Sequence, residues 1–183
     1  MTIYLVLEFG ISPIDAYQQI FNQAEPFIQV AMELSLNFLQ RREEIHRWQN
    51  SWTRKESDGS YTYIKISKTH KHGPASYICV PNNIPVVHSE FDARTLGEIL
   101  RIAKNWKSNA LCPYVVYRKP ARVKKAVGRT HPFQVTPGQL SKGFAKARDL
   151  SGIYDHLDVK AKPGFHELLA VGHHLREKQG WST

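Results

Sequence analysis

The sequence predicts an α+β domain, mainly helical, with a small three-stranded antiparallel sheet. Three observations carry that prediction. Apolar residues recur at three- and four-residue spacing near both ends of the chain and in its middle. The period changes to two between Trp52 and Val80, where turn residues separate the apolar runs. No internal repeat, low-complexity tract or linker interrupts the 183 residues, a length that supports one domain with its own core.

The elements follow in order. Ser12 can cap a first helix, Pro13 suits its first position, and Asp15 its first turn. Ile14, Tyr17, Ile20 and Phe21 then share one face. Pro26 restarts a second helix carrying Phe27, Val30, Ala31, Leu34 and Phe38. A third, short helix is expected in the polar run from Arg41 to Trp48. Asp58-Gly59 marks a hairpin turn. Tyr61 to Ile66 forms one strand, Tyr77 to Val80 its antiparallel partner, and Trp52 to Glu56 a third. Lys68 to Pro74 reads as a long basic hairpin loop, and Pro81 and Pro85 end the sheet. Leu96, Ile99, Leu100, Ala103 and Trp106 make another amphipathic helix. Cys112 to Tyr117 is apolar and β-prone, and Arg118 to Pro132 is expected to be an exposed basic loop. Thr136-Pro137-Gly138-Gln139 is a capping-box start, with Leu140, Phe144 and Ala147 behind it. The last helix is expected from about Phe165 to Gly180, a residue suited to the position after a helix end.

Charge speaks to partners. The chain has 25 Lys and Arg against 16 Asp and Glu, a net charge of +9. Between Ile99 and Arg148 there are 12 basic residues and no acid. A DNA backbone is the simplest partner for such a run, because each neutralised phosphate releases counterions. The plainer reading is a solvated basic face. Candidate DNA-contacting cations are Arg42, Lys71, Arg118, Lys119, Arg122, Lys124, Lys125, Arg129, Lys142 and Lys146. The two cysteines, Cys79 and Cys112, have no metal-ligand spacing and form no framework, which fits a reducing compartment. No cofactor or metal is predicted. The apolar run Ile3 to Phe9 is too short to cross a bilayer and has neither a basic segment before it nor a small-residue cleavage site after it. A cytoplasmic protein without a membrane partner is expected, with residues 1–10 as an apolar stub and 11–183 as the domain.

Three motifs bear on chemistry. Gln40-Arg41-Arg42-Glu43-Glu44-Ile45 closes an apolar helix. An Arg fixed at a helix end can contact phosphate oxygens bidentately, with a carboxylate to hold it in place. Ser67-Lys68-Thr69 sits at a strand end, where a Lys can reach a groove and donate a proton to a leaving oxygen. Phe165-His166-Glu167-Leu168 opens the last helix; its His-Glu pair lacks the second His of a zinc-protease motif, since position 170 is Ala. His173 and His174 read as half-exposed helix histidines.

In this order and spacing the motifs resemble the tyrosine recombinases, and specifically the catalytic domain of the lambda-type phage integrases. The resemblance runs from about Ile11 to Gly180. Its anchors are Ala31-Met32-Glu33-Leu34, Gln40-Arg41, Ser67-Lys68-Thr69, Phe144-Ala145-Lys146-Ala147-Arg148, Phe165-His166-Glu167-Leu168 and Glu177-Lys178-Gln179. It implies a tyrosine-recombinase-like fold, double-stranded DNA as partner, no cofactor, and a phage or prophage gene expressed in a bacterial cytoplasm. In that family a Tyr attacks a phosphodiester to form a 3′-phosphotyrosyl link, two Arg clamp the non-bridging oxygens, and a Lys and a His move protons. By position the resemblance assigns Arg41 as the first Arg, Glu44 as its supporting acid, Lys68 as the hairpin Lys, and His166 as the His.

The chain departs from that pattern. Leu169 stands where the second Arg belongs, three residues after His166. Removing one preorganised donor costs about 10²–10³ in rate. Leu39 replaces the usual Gly before the first Arg, which puts the backbone at Arg41 in question. No Tyr follows His166. The expectation is a truncated, catalytically impaired domain that lacks its C-terminal helices and leaves Leu168, Leu169, Val171 and Leu175 exposed. Two alternatives differ in class. One is a non-catalytic DNA-binding regulator of recombination that occupies DNA or pairs with a full-length integrase protomer. The other is a generic basic nucleic-acid-binding domain, with Arg41, Lys68 and His166 dispersed.

Overall fold

The computed structural model describes residues 10–65, 77–105, 112–119 and 130–180. Six helices and three strands occur there: α1 (Pro13–Gln23), α2 (Pro26–Phe38), α3 (Arg42–Ile45), β1 (Thr53–Glu56), β2 (Gly59–Lys65), β3 (Tyr77–Pro81), α4 (Leu96–Asn105), α5 (Pro137–Ser151) and α6 (Glu167–Lys178). A 3₁₀ turn, Asn50–Trp52, precedes β1.

Helix α2 is the centre of the molecule. It is apolar nearly all round, as a helix surrounded by protein must be. Ile28, Met32, Leu34 and Leu36 have no exposed surface; each such side chain contributes about 1.5–3 kcal/mol by leaving water. Helices α4, α5 and α6 pack on it, and α1 lies along α5. Two glycines permit the close approaches. At Gly143 the side chain of Ile28 fills the space a Cβ would take, and at Gly172 the carbonyl of Leu36 does so.

Local signals set the helix ends. The Asp15 amide donates to Ser12 Oγ at 3.1 Å at the start of α1. At α5 the Gln139 amide donates to Thr136 Oγ1 at 3.2 Å, while the Thr136 amide donates to Gln139 Oε1 at 2.8 Å. Helix α5 ends at Gly152 with φ 72°, a left-handed conformation glycine adopts without penalty.

The sheet is antiparallel in the order β1-β2-β3. Glu56 pairs with Gly59, so the hairpin loop is Ser57-Asp58, one residue earlier than the sequence suggests. Tyr63 pairs with Cys79 and Ile64 with Ile78. Ile64 enters the core, and Thr62, fully buried, donates to Asn82 Oδ1 at 2.7 Å. The β-prone segment from Cys112 to Tyr117 is no strand. It makes two isolated bridges, Gln49 with Tyr114 and Tyr117 with Gln134.

A buried polar knot ties the 87–90 segment to α1 and α2. Glu33 Oε1 accepts from Tyr17 Oη at 3.3 Å and from the Glu90 amide at 2.9 Å, and Glu33 Oε2 accepts from Asn37 Nδ2 at 3.2 Å. Asn37 Oδ1 accepts from the amides of Val87 and His88. Such a knot is stabilising only when its donors and acceptors are matched.

Candidate nucleic-acid interface

The turn after α2 presents Arg41. Leu39 is left-handed, φ 53° and ψ 33°, a conformation that costs a side-chain-bearing residue about 1–2 kcal/mol. Leu39 adopts this conformation without a glycine and packs toward Gly172. Gln40, buried, donates to the Phe38 carbonyl at 2.7 Å, satisfying one of the acceptors a helix end leaves over. Arg41 is extended and exposed, and its amide donates to Glu44 Oε2 at 2.8 Å. The Glu44 amide donates back to the Arg41 carbonyl at 2.9 Å. Buried Glu44 thus braces the backbone that carries Arg41.

Next to it, Arg42 reaches to α5. Its Nη1 donates to Ser141 Oγ at 2.7 Å and its Nε to Glu43 Oε1 at 2.8 Å. Partial burial works against ionisation of Glu43, but the hydrogen bond and charge of Arg42 outweigh it and lower the Glu43 pKa. Lys142 and Lys146 follow on α5, both exposed. Arg118 is exposed as well, but its backbone is fixed by an amide bond to the Phe133 carbonyl at 3.0 Å. Its guanidinium lies over the Phe27 ring at 5.5 Å. Glu25, just before α2, faces two of these cations: Oε2 lies 3.4 Å from Arg118 Nη2, and Oε1 lies 3.6 Å from Lys146 Nζ. Lys119 is exposed beside Arg118.

His166 stands at the N-cap position of α6, makes no side-chain capping bond and is exposed. The segment that delivers it is stapled to α5. Buried Arg148 donates from Nη1 to the Pro163 carbonyl at 2.8 Å and from Nε and Nη2 to Asp149 Oδ1. Lys162 Nζ lies 3.5 Å from Asp149 and 3.3 Å from Asp155. The Phe165 ring stands edge-on to Phe144 at 5.7 Å. Leu169 lies three residues after His166, on the same side of α6, and is half-buried.

The expected exposure of the last helix needs correction. Leu168 is a core residue, 4% exposed, and Leu169, Val171 and Leu175 are half-buried. Helix α2 packs on α6, and α1, Phe144 of α5, Tyr154 and Pro163 line with Leu168 and Val171 an apolar cavity of about 40 Å³. Distant parts of the chain supply this cover, and helical periodicity cannot report it.

Arg41 and His166 are thus carried by adjacent elements, since α6 packs on α2 at the turn that precedes Arg41. Lys68, Lys71, Arg122, Lys124, Lys125 and Arg129 lie outside the described residues. Sequence reasoning missed Glu25, Ser141 and the stapling role of Arg148. For Glu25 the available signal was an acid directly before the Pro26 helix start, which carries no information about cations far along the chain. Among the described residues no cluster of His, Cys, Asp and Glu could hold a metal ion, and no helix is long and apolar enough to cross a membrane.

No protein-family model matches the chain, and no curated protein does. Solved structures do. The fold is similar to the lambda integrase catalytic core, with a TM-score of 0.63 and 25% identity over 90% of this chain and 81% of that one. It is similar to a longer lambda integrase chain bound to DNA, with a TM-score of 0.62 and 24% identity over 90% of this chain and 50% of that one. A lambda integrase dimer bound to a COC′ core site matches with a TM-score of 0.63 and 23% identity, over 91% of this chain and 40% of that one. The chain thus spans most of the catalytic core and half or less of the longer chains. It has the tyrosine recombinase catalytic-domain fold: mainly helical, with a three-stranded antiparallel sheet.

Proposed function

We propose that this chain is a DNA-binding, phage-integrase-type catalytic domain that seats duplex phosphates on Arg41, Arg42, Arg118, Lys119, Lys142, Lys146 and His166. Lys68, Lys71, Arg122, Lys124, Lys125 and Arg129 extend that role by sequence position. The observation that carries the reading is the Arg41 turn: an exposed guanidinium on a backbone braced by buried Glu44, beside the helix that begins with His166. A rigid support for an exposed cation is what a phosphate clamp requires, because the cation then needs no reorganisation when charge develops on the phosphate.

Chemistry in residues 1–183 is impaired in this reading. At Leu169 a side chain with no donor and no charge occupies the place of the second Arg, so one side of the phosphate lacks its clamp. The residues present can bind a phosphate, orient it from Arg41, and offer a proton at His166. The same Leu169 favours a second reading, a non-catalytic domain that occupies DNA sites or joins a complete integrase protomer on them.

Titration of labelled duplex DNA with the 183-residue polypeptide at a series of salt concentrations tests the binding. Affinity falls steeply with salt, and Arg41→Ala weakens it. A flat salt profile excludes the phosphate account. Incubation with nicked suicide duplexes tests the chemistry: no covalent protein–DNA band is expected, and its appearance refutes the impairment. Co-migration with a full-length lambda-type integrase on one duplex supports the regulator reading.

A further inference from the structure

We propose that Glu25 is a built-in competitor for DNA: its carboxylate occupies the seat of one backbone phosphate between Arg118 and Lys146 and holds down the affinity of this face. The inference rests on the DNA-binding reading and adds a phosphate subsite with its internal occupant.

The argument begins with how firmly the three groups are placed. Glu25 precedes α2 in an extended conformation, and its carbonyl accepts from the amides of Ile28 at 2.8 Å and Gln29 at 3.1 Å. Its side chain makes no capping bond, so the carboxylate is not spent on the helix. Arg118 is held at the backbone by Phe133 and at the guanidinium by the Phe27 ring. Lys146 stands on α5, whose position against α2 is fixed at Gly143. One oxygen of Glu25 faces each cation, 3.4 Å from Arg118 and 3.6 Å from Lys146. Among the described residues neither cation has another acidic partner.

Two cations that share one carboxylate, one per oxygen, are placed as they would be around one phosphate. The distances are longer than the roughly 2.7–2.9 Å of a tight charge-assisted hydrogen bond. All three side chains are well exposed, 52% for Arg118, 66% for Lys146 and 37% for Glu25, so the contacts contribute little to folding. Their effect lies in binding. DNA must displace the carboxylate or accept its repulsion, and either lowers the number of counterions that phosphate contacts release.

The test compares the wild-type chain with Glu25→Gln and Glu177→Gln. Glu177 is exposed in the last turn of α6, so its substitution removes the same charge away from the two cations. Affinity for a labelled duplex is measured against salt concentration. Glu25→Gln is expected to tighten binding about three- to tenfold at low salt and to steepen the log–log slope by about 0.9, one phosphate contact more. Glu177→Gln is expected to give a smaller gain and an unchanged slope. In an Arg118→Ala/Lys146→Ala background the advantage of Glu25→Gln disappears. Equal gains from the two Glu→Gln variants overturn the inference while leaving DNA binding intact, and so does a gain that persists without Arg118 and Lys146. Absence of DNA binding by every variant removes the DNA-binding reading and this inference together.

Discussion

Gly172 of α6 rests on the carbonyl oxygen of Leu36, with no room between them for a Cβ. This contact joins the helix that begins with His166 to the helix that ends at the Arg41 turn. The neighbour is backbone in the last turn of α2, so it cannot give way as a flexible side chain would. Gly172→Ala should therefore push α6 outward and cost about 1–3 kcal/mol, the range for overpacked sites. Urea denaturation measures that cost. The same displacement should weaken DNA binding. A variant as stable as the wild type would show that α6 is not seated on Leu36.

Glu33 gives the fold a pH dependence of predictable sign. Burial raises its pKa, and the donors around it, from Ser89, the Glu90 amide and Tyr17, together with the charge of His88, only partly oppose that. Tyr17 of α1 and His88 and Glu90 of the 87–90 segment are the titratable groups facing it. As pH rises above the ordinary glutamate range, the unfolded chain releases this proton while the folded chain still holds it. The contribution is complete below the unfolded pKa and is lost as pH rises through the folded one. Glu33→Gln cannot show that loss. Its amide presents two donor hydrogens where the protonated carboxyl presents one, in a site whose neighbours donate, so it should be less stable at acidic pH. Its deficit should shrink as pH rises. Unfolding free energies of both proteins across that range decide the matter; a constant gap would remove Glu33 as the source.

Local signals were legible, and contacts between distant segments were not. The caps at Ser12 and Thr136 could be read because donor and acceptor lie within four residues. The strands of the sheet could be read because alternation and turn residues are adjacent. The left-handed Leu39 could not, because nothing in Leu predicts φ 53°; the conformation persists through packing toward Gly172. The burial of Leu168 and the knot of Glu33, Asn37 and residues 87–90 depend on partners brought together only by the fold. For the candidate site, Arg41 and His166 were visible as motifs, whereas Glu25 acquires its meaning from two cations far along the chain.

Arg148 is charged and 8% exposed, yet its role is to hold a loop. Replacing it with Met keeps an unbranched apolar stem and removes the guanidinium with its bonds to the Pro163 carbonyl and Asp149. A buried carbonyl then loses its charged donor, at a cost of about 2–3 kcal/mol. The pH response should change too. Arg148 hydrogen bonding is the main cause of the lowered Asp149 pKa. That contribution is present above the ordinary aspartate range and is lost as pH falls through the depressed value. Arg148→Met should therefore lose more stability near neutrality than in strong acid. Denaturation at both pH values tests this, and an equal loss at both would dissociate Asp149 from Arg148.

Leu169 offers a test in the opposite direction, a gain. It is half-buried on α6, three residues after His166, so an Arg there would emerge on the side of the helix that carries His166. A new charge-assisted contact to a phosphate is worth about 1.5–3 kcal/mol, so Leu169→Arg should tighten duplex binding by about tenfold or more. The salt slope should steepen by about 0.9. Leu169→Met supplies the comparison, since it keeps an apolar side chain of similar volume and adds no charge. Leu169→Arg should also depend on its neighbour: the gain should be smaller in a His166→Ala background if both side chains address one phosphate. Equal affinities for the Arg and Met variants would place Leu169 away from the DNA and would separate the helix that opens at His166 from the phosphate-binding face.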